Sequence, residues 1–167
     1  MDMSKFNIFK KKQANYSISH NIQNDDKEQV SIPDYETFNF YLTDSKGRDV
    51  FKQFLVREFH VENLMFCTEV EYYKGLDADD DASLMESSKN LFDTYIQIGA
   101  PFEVNISPQL RDEISRQISR QLSKPHLRTF DKAKDEVVKL MERTSFSRFK
   151  KSSLYENFIS SRLKGTN

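Results

Sequence analysis

The chain has 167 residues, the length of one domain with tails and not of two domains in series. Lys and Arg total 25 against 26 Asp and Glu, and a net charge of -1 argues against a DNA or RNA binder. The apolar quota rests on 14 Phe and 7 Tyr with no Trp, and such rings each bury ~150 to 250 Å², so a sizeable core is available.

The first 33 residues are polar and rich in Asn, Gln and Ser, with no sustained period, which reads as a flexible or irregular N-terminal extension. The domain is expected over residues 34–160, with 161–167 as a C-terminal tail. Lys10, Lys11 and Lys12 lie beside Phe6, Ile8 and Phe9. A solvated tail is the expected reading, and a weak peripheral membrane contact, gaining ~1 kcal/mol per basic residue, is its alternative. No segment reaches the ~20 apolar residues of a membrane span, and with Asp2 after the first Met and no apolar core near the start, neither a secretory signal nor a myristoyl group is expected.

Beyond Pro33, helical periods fill the intervals between turn signals at Gly47, Gly75, Gly99, Pro101, Pro108 and Pro125. Val61 to Tyr73 is apolar or aromatic on most faces and is expected to be the central buried helix. Leu84, Ser88, Leu91, Tyr95 and Ile98 step by four and three along one stripe that ends at Gly99. Ser107 and Pro108 read as an N-cap and first-turn proline, opening a helix that runs to about Ser123. Thr129 is the expected cap of a helix whose core stripe is Phe130, Ala133, Val137, Leu140 and Met141, while Lys132, Lys134, Asp135 and Glu136 face water. Ser153 and Glu156 read as a capping box for the last helix. The architecture is all-α, a bundle of roughly eight or nine short helices.

Little in this pattern carries chemistry of its own. Asp77, Asp79 and Asp81 have the spacing that opens an EF-hand loop, but Ala82 stands where the loop needs Gly and Ser88 where it needs Glu, so a solvated loop is expected instead of calcium. His20, His60 and His126 belong to no ligand motif. Cys67, the single cysteine, excludes an intrachain disulfide, suits a reducing compartment and reads as a core residue. No metal, cofactor or catalytic group is expected.

Three blocks then carry a resemblance: FKQFLVREFHVENLMF, GAPFEVNISPQLRDEI and FDKAKDEVVKLMERTSFSRFKKSSLY. In order and spacing they resemble the regulator of G-protein signalling (RGS) domain family, over about Thr37 to Phe158. The resemblance implies an RGS-like bundle of about nine helices. It also implies binding to the active α subunit (Gα) of a heterotrimeric G protein, whose GTP hydrolysis the domain accelerates without being an enzyme itself. A monomer in the cytoplasm, recruited in some circumstances to the inner face of the plasma membrane, is the accompanying expectation.

Carried over residue by residue, Phe59, Glu62 and Asn63 match the family's first contact loop. Asn105 matches the asparagine that reaches toward the glutamine orienting the attacking water. Leu140, Ser145 and Arg148 match the third cluster. Four positions depart from the family. Thr144 stands where Asp is usual and is expected to leave Arg148 without its partner. His60 replaces a serine cap and is expected to give binding some pH dependence near neutrality. Ser107 replaces a frequent acid, and Cys67 a Trp. The ISRQISRQ run reads as an insertion of about one helical turn. The leading expectation is a GTPase activator. The alternative is a degenerate module that binds Gα as effector or scaffold, and a calcium-responsive adaptor is a third.

Overall fold

The computed structural model describes residues 32–119 and 125–164. Among them a short 3-10 turn, Ile32–Glu36, precedes seven helices and no strand occurs. The helices are α1 (Phe38–Thr43), α2 (Ser45–Arg57), α3 (Val61–Lys74), α4 (Asp81–Leu91), α5 (Pro108–Ser119), α6 (Asp131–Met141) and α7 (Ser153–Lys164). The fold is all-α as expected, but the count among described residues is below about nine. The reason is that two segments continue helices instead of starting new ones. α4 passes into a π turn at Phe92–Ile96, and α6 into another at Glu142–Phe146 followed by the single turn Ser147–Phe149.

Asp44 joins the first two helices by serving both: its N–H donates to the Phe40 carbonyl at 2.9 Å, and its carboxylate accepts the Gly47 N–H at 2.7 Å. A Cβ at Gly47 would lie 2.6 Å from the Phe40 ring, so glycine is what lets α1 and α2 approach.

α3 is the central helix, burying Val61, Asn63, Leu64, Met65, Phe66, Cys67, Val70 and Tyr73. Burial pushes the Cys67 thiol up to about 12, so at neutral pH it is an unionised core side chain. Aromatic rings pack the elements together in one large group and in separate pairs. Phe38, Tyr41, Phe51, Phe146 and Phe149 pack α1 and α2 against the segment after α6, with Tyr41 and Phe149 centred 5.0 Å apart. Phe66 meets Tyr95 at 5.5 Å, and Tyr73 meets Phe130 at 5.4 Å. Lys134 pairs with Glu71, and Lys74 lies 3.4 Å from Asp131, so α3 and α6 are also tied by charge.

Four local expectations are corrected. Ile98 is 79% exposed, because the π turn holds one more residue than an α turn and rotates Ile96 into the core position that the regular period assigned to Ile98. Thr129 does not cap α6; its hydroxyl donates to the His126 carbonyl at 2.6 Å, and the cap position falls on Phe130. Ser152, not Ser153, caps α7, its hydroxyl oxygen accepting the Tyr155 N–H at 3.3 Å. Glu136 and Lys134 do not simply face water, since Glu136 bonds Ser107 and Lys134 bonds Glu71. The N-terminal extension with Lys10, Lys11, Lys12 and His20, and the end of the ISRQISRQ run after Ser119, lie outside the described residues.

Candidate functional site

The turn between α2 and α3 is closed by a pair of backbone hydrogen bonds. His60 N–H donates to the Leu55 carbonyl at 2.9 Å and Phe59 N–H to the Val56 carbonyl at 3.3 Å, the paired bonds of a Schellman motif. The residue that must turn left-handed in that motif is Phe59, at φ 59, where glycine is usual. The residue is 80% exposed. A conformation costing ~1 to 2 kcal/mol is thus held while the largest apolar side chain of the turn faces solvent.

His60 takes the cap position of α3 and makes no side-chain cap bond, as expected for the loss of serine. Asn63, only 8% exposed, acts beneath the turn: its amide donates to the Glu62 carboxylate at 2.7 Å and to the His60 carbonyl at 3.4 Å. Half-burial raises the Glu62 carboxyl above its ordinary value, opposed by hydrogen bonds from its own backbone and Asn63 and by the nearby His60.

The second element is the loop from Gln97 to Ser107. Val104 N–H donates to the Tyr95 carbonyl at 2.9 Å and Phe102 N–H to the Thr94 carbonyl at 3.1 Å, so the loop folds back on the π turn. Arg111 braces it from α5, donating to the Ile96 carbonyl and to the Val104 carbonyl at 3.3 Å and pairing with Glu103 at 3.1 Å. Val104 and Ile106 point into the core, leaving Asn105 between them exposed. Ser107 is fixed from outside its own helix: its N–H and its hydroxyl each donate to one oxygen of the Glu136 carboxylate, both at 2.8 Å. Its carbonyl accepts the Leu110 and Arg111 N–H groups, opening α5 at Pro108.

The third element is the end of α6. Leu140 is half-buried, Thr144 exposed, and Ser145 only 2% exposed within the second π turn. Thr144 donates its hydroxyl to the Leu140 carbonyl at 2.7 Å, one turn back. Arg148 is not left without a partner, contrary to expectation: its Nε donates to the Glu58 carboxylate at 2.9 Å.

The expected residues therefore fall on three elements, and two contacts bind these together. Glu58 to Arg148 joins the first to the third, and Ser107 to Glu136 joins the second to α6. Phe59, His60, Asn105, Thr144 and Arg148 are exposed, whereas Asn63 and Ser145 form the floor. Glu58 and Arg111 carry no signal in the sequence, and Glu136 there reads only as a solvent-facing residue. Their partners lie far off in sequence, and no local motif announces them.

The acidic loop is built differently from a cation site. Asp77 accepts the Asp79 N–H at 3.0 Å, and Asp80 caps α4 by accepting the Ser83 N–H at 3.0 Å and its hydroxyl at 2.6 Å. Those bonds hold the Asp80 carboxyl below its ordinary value. Among the described residues no group of three His, Cys, Asp or Glu could hold a metal ion, and no helix is long and apolar enough to cross a membrane.

Comparison with known proteins identifies the family. The model of the regulator of G protein signaling domain matches residues 37–158. Regulator of G-protein signaling 18 of Rattus norvegicus is 33% identical over 127 residues, covering 76% of this chain and 52% of that protein. Regulator of G-protein signaling 8 of Homo sapiens is 33% identical over 125 residues, 75% of this chain and 66% of its own. Regulator of G-protein signaling 21 of Homo sapiens is 35% identical over 126 residues, 75% and 79% respectively. The chain thus spans about half the length of the first of these relatives. With its all-α fold and this match over residues 37–158 in accord, the chain belongs to the regulator of G protein signaling domain family.

Proposed function

We propose that this chain regulates G-protein signalling by binding a Gα subunit and accelerating its GTP hydrolysis. The observation that carries the reading is Asn105, an exposed amide on a loop anchored on both sides by Val104, Ile106 and Ser107. An amide carried on an anchored backbone offers a donor and an acceptor group, which is what orienting a glutamine and its attacking water requires.

The mechanism is differential binding. Phe59 and Glu62 of the first turn, Asn105, and Leu140, Thr144 and Arg148 of the third element engage the switch segments in the shape they take at the transition state. Only contacts stronger at that point lower the barrier, and no residue of this chain needs to enter the nucleotide site as an arginine finger. Asn63 and Ser145 contribute from below by holding the surface in shape. The chain itself is not the enzyme; it works as a monomer through a domain of residues 34–160, in the cytoplasm or at the inner face of the plasma membrane.

A second reading, a module that binds Gα without accelerating hydrolysis, is favoured by Thr144 and His60, which lack the carboxylate and the cap usual in the family. Affinity for three forms of one Gα separates the two. An activator prefers the GDP plus aluminium fluoride form over both the GDP and the GTP-analogue forms, and an effector-like module prefers the GTP-analogue form.

A further inference from the structure

The contact between Ser107 and Glu136 fixes one side of the Asn105 loop from a different helix. Two donors of one residue, backbone N–H and hydroxyl, meet two oxygens of one carboxylate, each at 2.8 Å. Such a paired, charge-assisted contact fixes direction as well as distance. On the other side of Asn105 the chain is held by the Val104 N–H to the Tyr95 carbonyl and by Arg111 on the Val104 carbonyl. Only Asn105 and Ile106 lie between these anchors, and Ile106 is buried. The backbone that carries Asn105 is therefore held by Tyr95 and Arg111 on one side and by Glu136 on the other.

We infer that Glu136 is a positioning residue for Asn105, acting on Gα only through that loop; this rests on the reading of Asn105 given above. Glu136 comes from the middle of α6, the helix whose end carries Leu140 and leads to Thr144 and Arg148. One rigid helix thus sets the spacing between the second and third contact elements, and a displacement of about 1 Å at a positioning group is enough to cost ~100-fold in rate.

The test is a double-mutant cycle of Glu136→Ala and Asn105→Ala in the full chain. The readouts are single-turnover hydrolysis by a responding Gα and amide hydrogen exchange at Ser107. Glu136→Ala is expected to lower acceleration roughly ten-fold, the size of one or two charge-assisted bonds, and to expose the Ser107 amide to exchange. In the Asn105→Ala background the same substitution is expected to change acceleration by less than about two-fold, because the group it positions is gone. Glu136→Gln, which keeps an acceptor for the Ser107 N–H and the shape of α6, is expected to restore part of the activity. Full additivity of the two losses, or Ser107 exchange unchanged by Glu136→Ala, overturns the inference. If the wild-type chain activates no Gα, the activator reading fails instead, and the cycle is read on Gα affinity, where additivity again overturns the role of Glu136. If no Gα binds, both fail together, and intact exchange protection identifies the fault as the reading of the site.

Discussion

Arg148 and Glu58 meet at 2.9 Å across ninety positions of sequence, joining the turn after α2 to the segment that follows α6. Both side chains remain substantially exposed, 47% and 38%, so the pair stabilises the fold by ~1 kcal/mol at most. Its consequence is positional: it joins the first and third elements of the candidate site, and it gives Arg148 the carboxylate that Thr144 cannot supply.

Glu58→Ala is accordingly expected to shift thermal unfolding little, by under ~1 kcal/mol, yet to weaken Gα binding by about ten-fold at low salt. Calorimetry and titration of a GDP plus aluminium fluoride Gα, each at low and high ionic strength, check the two halves. An equal loss in stability and in binding would mean the pair merely holds the fold.

Phe59 carries a conformation that glycine adopts without strain and a side chain left largely exposed. Phe59→Gly is therefore expected to stabilise the domain by up to about 1 kcal/mol while reducing Gα affinity. Denaturant unfolding beside a binding titration tests this. A destabilised variant would mean that the ring packs on the domain after all.

The Glu62 carboxyl is raised from 4.5 chiefly by burial, so the folded state holds its proton to higher pH than the unfolded chain does. The stability this lends is fully present below the unfolded value and is lost as pH rises through the folded one. At neutral pH the ionised group costs stability, and Glu62→Gln should raise the melting temperature at pH 7, with the gain vanishing toward pH 4. Melting temperatures of both forms across that range decide it; a gain that grows at low pH would reverse the sign.

The helices were legible because their apolar residues recur at helical spacing, and α3 stood out by its near-complete apolar cover. The site was legible through blocks that resemble a family. What escaped depends on geometry that sequence period does not encode. The π turn after Leu91 exchanges Ile98 for Ile96, the turn at Phe59 lacks the glycine that would have marked it, and the cap of α7 lies one residue early at Ser152. The two contacts that bind the site together join side chains 29 and 90 positions apart, and only the packed helices bring them within reach.

The central claim is that Asn105 carries acceleration of GTP hydrolysis. Single-turnover hydrolysis by a panel of Gα subunits, with the wild-type chain, Asn105→Ala and Thr144→Asp, tests it most directly. The account predicts that the wild-type chain accelerates at least one Gα and that Asn105→Ala removes about a hundred-fold of that acceleration, as loss of a transition-state hydrogen-bonding group does. Thr144→Asp should add to it by restoring an acceptor beside Arg148. Acceleration undiminished in Asn105→Ala, or a panel in which every Gα binds and none responds, would contradict the account.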